Sequence, residues 1–268
     1  MKQFFNYIFN FYIFSNLHVA LSVVSLYLIF NNKININYLF FLFLGTIVSY
    51  NLMRLISFGS NRFFYKKFLI RNKEIFVFLI LVSILLGSYF FWQLPIKIKI
   101  YLIPIIIISI FYNFDYKYAP IPALRNNGIL KVLIVAFSWS ILSVVIPGFM
   151  NQYNTRVAEL WVKAGFVFIY ILMLTISFDQ RDILVDHAKL KTFPRLFGKQ
   201  IIYFYLLFFI LLSFINYALF DGKFFYITTL ILIISVILCV FSTEKKSFYY
   251  TAFWIEALPV FWWILLQI

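Results

Sequence analysis

Nine apolar runs, at approximately residues 11–30, 38–58, 75–94, 99–114, 129–149, 160–179, 200–220, 224–241 and 248–267, dominate this chain. A helix needs about 20 mostly apolar residues to cross the hydrocarbon core of a bilayer. The polar punctuation falls between the runs, in stretches such as Asn31-Asn32-Lys33 and Asp221-Gly222-Lys223. Only 12% of the residues are charged and 64% are hydrophobic, whereas a soluble domain carries about a quarter charged. Lipid must therefore be the solvent. Length favours helices over strands. The predicted fold is an all-α polytopic membrane protein with nine transmembrane helices, forming one transmembrane domain over residues 1–268. The first run follows Lys2 without a small-residue cleavage site and reads as a retained span, not a signal peptide. Cys239, alone in an apolar run, offers neither an intrachain disulfide nor a thiolate metal site.

Charge orients the spans. With nine of them, one face carries the N-terminus and the connectors after spans two, four, six and eight, with 17 of the 23 Lys and Arg; the other face carries 6. The positive-inside rule puts the richer face in the cytoplasm. The expectation is a protein integral to the cytoplasmic membrane, with its N-terminus cytoplasmic and its C-terminus on the opposite side. The net charge of +14 is accounted for by membrane lipids and orientation, so no nucleic acid is expected as a partner.

Against so basic a background the acids stand out. Nine Asp and Glu occur in the whole chain, and Asp179, Asp182 and Asp186 fall together at the end of the sixth run. If that run stays helical, spacings of three and four residues put the three carboxylates within an arc of roughly 60°. Three negative charges on one face call for a cation, and hard oxygen ligands favour Mg²⁺ over zinc. Lys117, Arg125 and Lys131 precede the fifth span, and Arg54 to Lys73 is a basic stretch after the second. Carboxylates beside cations at the mouth of an apolar bundle suit a diphosphate carrying a hydrocarbon tail. Taken singly, these basic residues also fit ordinary snorkelling charges, with the aspartates as counter-ions.

The spacing D-x-x-D-x-x-x-D followed by T-x-P and Gly, here Asp179, Asp182, Asp186, Thr192, Pro194 and Gly198, resembles the second aspartate-rich motif of the UbiA-type intramembrane prenyltransferase superfamily. The segment from Tyr112-Asn113 through Arg125, Gly128, Leu130-Lys131 and Ala136 to Trp139 is similar to that family's basic loop between helices four and five. The resemblance implies a UbiA-like bundle of nine helices around a central cavity open to the cytosol. It implies an isoprenyl diphosphate, or a related lipid, bound through Mg²⁺ and transferred as a prenyl group to a small acceptor. In that frame Asp179, Asp182 and Asp186 are metal ligands, and Asp182 and Asp186 are the catalytic residues. Asn51, Arg54, Lys117, Arg125, Lys131 and Lys189 are then the substrate-binding residues.

The chain departs from the family at the first motif. Where N-D-x-x-D-x-x-x-D is expected, it reads Asn51-Leu52-Met53-Arg54-Leu55-Ile56-Ser57-Phe58-Gly59. Leu cannot ligate Mg²⁺, although Arg54 offers a direct partner for a phosphate. Lys189 stands where the family has a glycine. These departures support an alternative, a catalytically degenerate UbiA-fold protein that binds lipid or a membrane partner without prenyl transfer. A cation-coupled transporter fits less well, because the acids lie at the membrane edge and no broken helices repeat in the two halves. Glu256 in the ninth run is a functional candidate of equal standing with a hydrogen-bonded structural Glu. His18 in the first run reads as an interhelical hydrogen-bonding group in preference to a base.

Overall fold

The computed structural model describes residues 2–56, 63–113, 124–150, 157–184, 186 and 190–268. Helix accounts for 87% of them, and there is no strand among the described residues. In order come α1 (Lys2–Phe14), α2 (Leu17–Phe30), α3 (Ile36–Ile56), α4 (Phe63–Arg71), α5 (Lys73–Trp92) and α6 (Ile96–Asn113). Then follow α7 (Gly128–Ser140), a π-helical segment at Ile141–Val145, α8 (Ile146–Met150) and α9 (Val157–Asp182). The chain ends with α10 (Phe193–Phe197), α11 (Ile201–Leu219), α12 (Gly222–Val240), a second π-helical segment at Tyr250–Ile255 and α13 (Leu258–Gln267).

By length and apolarity six of the described helical stretches can cross a membrane, or seven if the bent pair Gln3–Phe14 and Leu17–Phe30 counts as one span. The chain is thus an all-helical membrane protein. The expected fourth run falls in α6, which carries Lys97, Lys99 and Pro104. The ninth is divided between the second π-helical segment and α13.

Two compact units are present, Met1–Val24 with Ile34–Ala123, and Ser25–Lys33 with Leu124–Ile268. In the first, α3 and α5 pack antiparallel. Phe76, Ile80, Ser83 and Gly87 form the buried stripe of α5, a spacing of four, three and four that defines one helix face. Gly87 meets the Leu44 Cβ at 3.6 Å, and Phe40 stacks on Phe90 with ring centroids 4.9 Å apart. The opposite face, with Phe78, Leu81, Leu85 and Trp92 exposed, is what a helix presents to lipid.

The first apolar run is broken where the sequence predicts one continuous span. Between α1 and α2 the axis bends by 55°, and Asn16 takes φ 60, a left-handed conformation that Asn tolerates better than most residues. A break within an apolar run strands the last carbonyls of α1, which hydrocarbon cannot satisfy. Asn51 and Arg54 supply the donors. Asn51 Nδ2 donates to the carbonyls of Ser15 at 2.7 Å and Ile47 at 2.8 Å, and its Oδ1 accepts from Asn16 Nδ2 at 3.0 Å. Arg54 Nη1 donates to the carbonyls of Ile13 and Phe14. His18 is buried and shares a 2.6 Å hydrogen bond with Tyr12 Oη across the break, the hydrogen-bonding role expected of it.

In the second unit α9 is the central helix, with buried residues from Ala164 to Asp179 on several faces. The α7–α8 stretch runs antiparallel to it: Ser140 Oγ donates to the Ala164 carbonyl at 2.6 Å, and Gly148 packs against the Leu160 side chain. Along its other side α12 runs parallel, and small polar groups tie the two. Tyr170 pairs with Ser235 at 3.2 Å and Ser242 Oγ donates to the Ser177 carbonyl at 3.0 Å. Such side chains are the usual glue between helices in lipid, where apolar burial supplies little drive. Away from the acids, Phe30, Phe166, Phe220, Phe224 and Trp262 meet edge-to-face or tilted, the preferred geometry of aromatic quadrupoles.

Candidate functional site

The acidic end of α9 meets the start of α7. Asn127 caps α7, its side-chain oxygen accepting from the backbone N–H groups of Ile129 at 3.2 Å and Leu130 at 3.1 Å. This satisfies two of the orphan donors at the helix start and fixes where the first turn begins. Lys131, at the end of that turn, reaches the acidic end of α9 within the same unit. Its Nζ lies 2.6 Å from Asp179 Oδ1 and 3.1 Å from Asp186 Oδ2. Asp179 is 3% exposed, and its other oxygen, Oδ2, is buried without a hydrogen-bond partner.

The three aspartates do not share a helix face as the spacing predicts. The helix ends at Asp182, and Asp186 follows a turn in which its N–H donates to the Asp182 carbonyl at 2.8 Å. Arg195, from α10, draws that turn together: its Nη2 donates to the carbonyls of Ile183 and Asp186, each at 2.7 Å. Asp186 is thereby folded back towards Lys131. Asp182 faces Arg181, whose Nε and Nη2 donate to its two oxygens at 2.9 Å each. Such a two-pronged pairing is the strongest form of carboxylate recognition. Arg181 is held in turn by Thr251 Oγ1 at 2.7 Å and lies over the rings of Phe248 and Phe178, 4.6 and 5.3 Å from their centroids. The triad is therefore split. Asp179 and Asp186 converge on Lys131, while Asp182 belongs to an Arg181–Thr251 clamp.

The backbone at Lys191, just before α10, lies close against α7. A Cβ on Gly128 would collide with the carbonyl of Lys191, so only glycine allows this approach. Thr192 is buried, and Pro194 opens α10, a position that suits its fixed φ and missing N–H. Thr192 and Pro194 of the T-x-P pattern thus open α10 immediately after this close approach.

Of the other residues singled out by sequence, Asn51 and Arg54 belong to the first unit and serve the break between α1 and α2. Both oxygen and nitrogen of the Asn51 amide are engaged there. Lys117, Lys189 and the Arg125 side chain lie outside the described residues. Glu256 follows the second π-helical segment, its N–H donating to the Thr251 carbonyl at 3.1 Å. Arg181 and Thr251 were not singled out by sequence reasoning. A usable signal was the cation wedged between acids in Asp179-Gln180-Arg181-Asp182; Thr251 gives none.

Chemically, Asp179 and Asp186 suit a hard divalent ion. Mg²⁺ takes one or two protein carboxylates and completes its shell with water and phosphate oxygens, and Asp179 Oδ2 is a buried oxygen with no donor of its own. Among the described residues no three His, Cys, Asp or Glu side chains converge as a cage. No family model, curated protein or solved structure matches the chain.

Proposed function

We propose that this chain is a UbiA-like integral membrane prenyltransferase, nine spans bundled around a central cavity, that binds an isoprenyl diphosphate on its cytoplasmic face. The observation that carries the reading is the convergence of Lys131 on Asp179 and Asp186, with one buried Asp179 oxygen open. Asp179 and Asp186 would hold Mg²⁺, which when bound neutralises a diphosphate and eases its departure. Lys131 supplies a mobile positive charge to the phosphate oxygens. Arg181 keeps Asp182 in a fixed orientation, and Arg195 holds the turn that presents Asp186. Electrostatic stabilisation of the leaving diphosphate would be the main source of rate. The 17-to-6 distribution of Lys and Arg supports a cytoplasmic N-terminus and a cytoplasmic acidic cluster in the cell membrane.

A second reading, binding without transfer, draws support from Asn51 and Arg54. Both engage backbone carbonyls at the α1–α2 break, and the chain there lacks a second set of aspartates.

The test is binding of a labelled isoprenyl diphosphate to the purified protein in nanodiscs, with and without Mg²⁺. Metal-dependent binding that weakens about tenfold or more in Asp186→Ala is expected. Binding indifferent to metal would sink the proposal. Release of inorganic diphosphate on adding candidate acceptors identifies a transferase, and binding with no release identifies the second reading.

A further inference from the structure

We infer that Lys131 is a built-in counter-cation: its ammonium occupies the cation position between Asp179 and Asp186 and yields it when a divalent metal binds. This deepens the reading of those two carboxylates as metal ligands and rests on it.

The ammonium lies within 3.1 Å of both carboxylates. Asp179 Oδ2 remains buried without a donor. Neither Arg181, committed to Asp182 and Thr251, nor Arg195, which donates to the carbonyls of Leu190, Ile183 and Asp186, hydrogen-bonds that oxygen. A divalent ion would neutralise both carboxylates. It would sit about 2.0–2.1 Å from the oxygens it binds, where an ammonium held at 2.6 and 3.1 Å leaves no room. Two cations at one point repel strongly in a poorly solvated setting, so occupancy is exclusive. Lys131 has the means to leave: its stem is flexible, and its side chain is 17% exposed, so the position is not sealed. A lysine that leaves the carboxylates carries its charge to the mouth of the site, where an anionic phosphate would meet it.

Two consequences follow for the unliganded protein. Removing Lys131 removes the competitor, so metal affinity rises. It also leaves two carboxylates facing each other, one of them buried, and a buried charge stripped of its partner is strongly destabilising. Bound metal should restore that loss.

The experiment uses Mn²⁺ alone as the probe, with no phosphate compound present. Loss of the free-ion electron paramagnetic resonance signal gives the affinity, and thermal melting gives the stabilisation. Lys131→Met should bind Mn²⁺ about tenfold or more tighter than wild type, melt lower without metal, and gain more from it. The double variant Lys131→Met with Asp179→Asn should recover stability without metal and lose the added Mn²⁺ response. If Lys131→Met fails to fold, Lys131→Gln is read in the same way. Equal Mn²⁺ affinity in wild type and variant overturns the counter-cation role and leaves the metal reading standing. Mn²⁺ binding to neither protein overturns both.

Discussion

Gly128 brings its bare Cα against the carbonyl of Lys191, in the space that any side chain at that position would need. This contact joins the start of α7, which bears Lys131, to the backbone just before α10.

Gly128→Ala should therefore force the loop away from α7. Backbone has no rotamer with which to yield, so a cost of about 1–3 kcal/mol is expected. The Lys131–Asp186 pair, at 3.1 Å, should open before the tighter Lys131–Asp179 pair, at 2.6 Å. Thermal melting in detergent measures the first effect. A melting point unchanged from wild type would show that the loop gives way freely.

Arg181→Lys should destabilise despite conserving charge. Lysine cannot reproduce the paired 2.9 Å contacts to Asp182 and the bond to Thr251 at once. Thr251→Val removes only the last of these and should cost less, about 1–2 kcal/mol. Denaturation of both variants, ranked against Arg181→Ala, tests the order. Equal losses in Arg181→Lys and Thr251→Val would mean that the two-pronged Asp182 contact contributes nothing.

Asn51→Ala should lower stability by roughly 1–3 kcal/mol, because it strips donors from the carbonyls of Ser15 and Ile47 in a buried setting. Its effect on binding of an isoprenyl diphosphate should be slight. A large loss of binding with an unchanged melting point would return Asn51 to the ligand.

Orientation is testable by thiol labelling, because Cys239 is the sole cysteine and is buried. Wild-type protein in sealed cells should stay unlabelled. A cysteine at exposed position 191 (Lys191→Cys) should react only after the membrane is permeabilised. Labelling by an impermeant reagent in intact cells would reverse the proposed topology.

Most helices were legible in the chain because lipid leaves little freedom: a run must be long, apolar and internally hydrogen-bonded. The breaks were harder to read. Asn16 is one of a few small polar residues in an apolar run, and the break it makes is served by Asn51, 35 positions from it, and by Arg54, 41 positions from Ile13. The spacing of Asp179, Asp182 and Asp186 suggested a cation site with all three on one helix face, whereas Asp186 lies beyond the end of that helix. Ile183, Leu184 and Val185 continue the apolar pattern past Asp182. The helix nevertheless ends there, and Arg195, a residue 12 positions beyond Ile183, binds the turn. Lys131 could be read as a neighbour of the acids from its basic loop. That it stands between two of them could not, because that depends on how α7 packs antiparallel to α9 and on the turn that Arg195 binds.

The second π-helical segment, Tyr250–Ile255, adds one residue to a helical circuit, and each added residue rotates everything downstream by about 100°. Thr251 reaches Arg181 from within the segment, and Trp262 joins the Phe30 and Phe166 rings from beyond it. The surplus residue acts as a phase shift, letting one helical stretch serve a charged partner and an aromatic one at angles that an unbroken α-helix would not present together. Deleting a single residue there would shorten the chain by less than half a per cent, yet it would turn the indole of Trp262 out of its ring cluster.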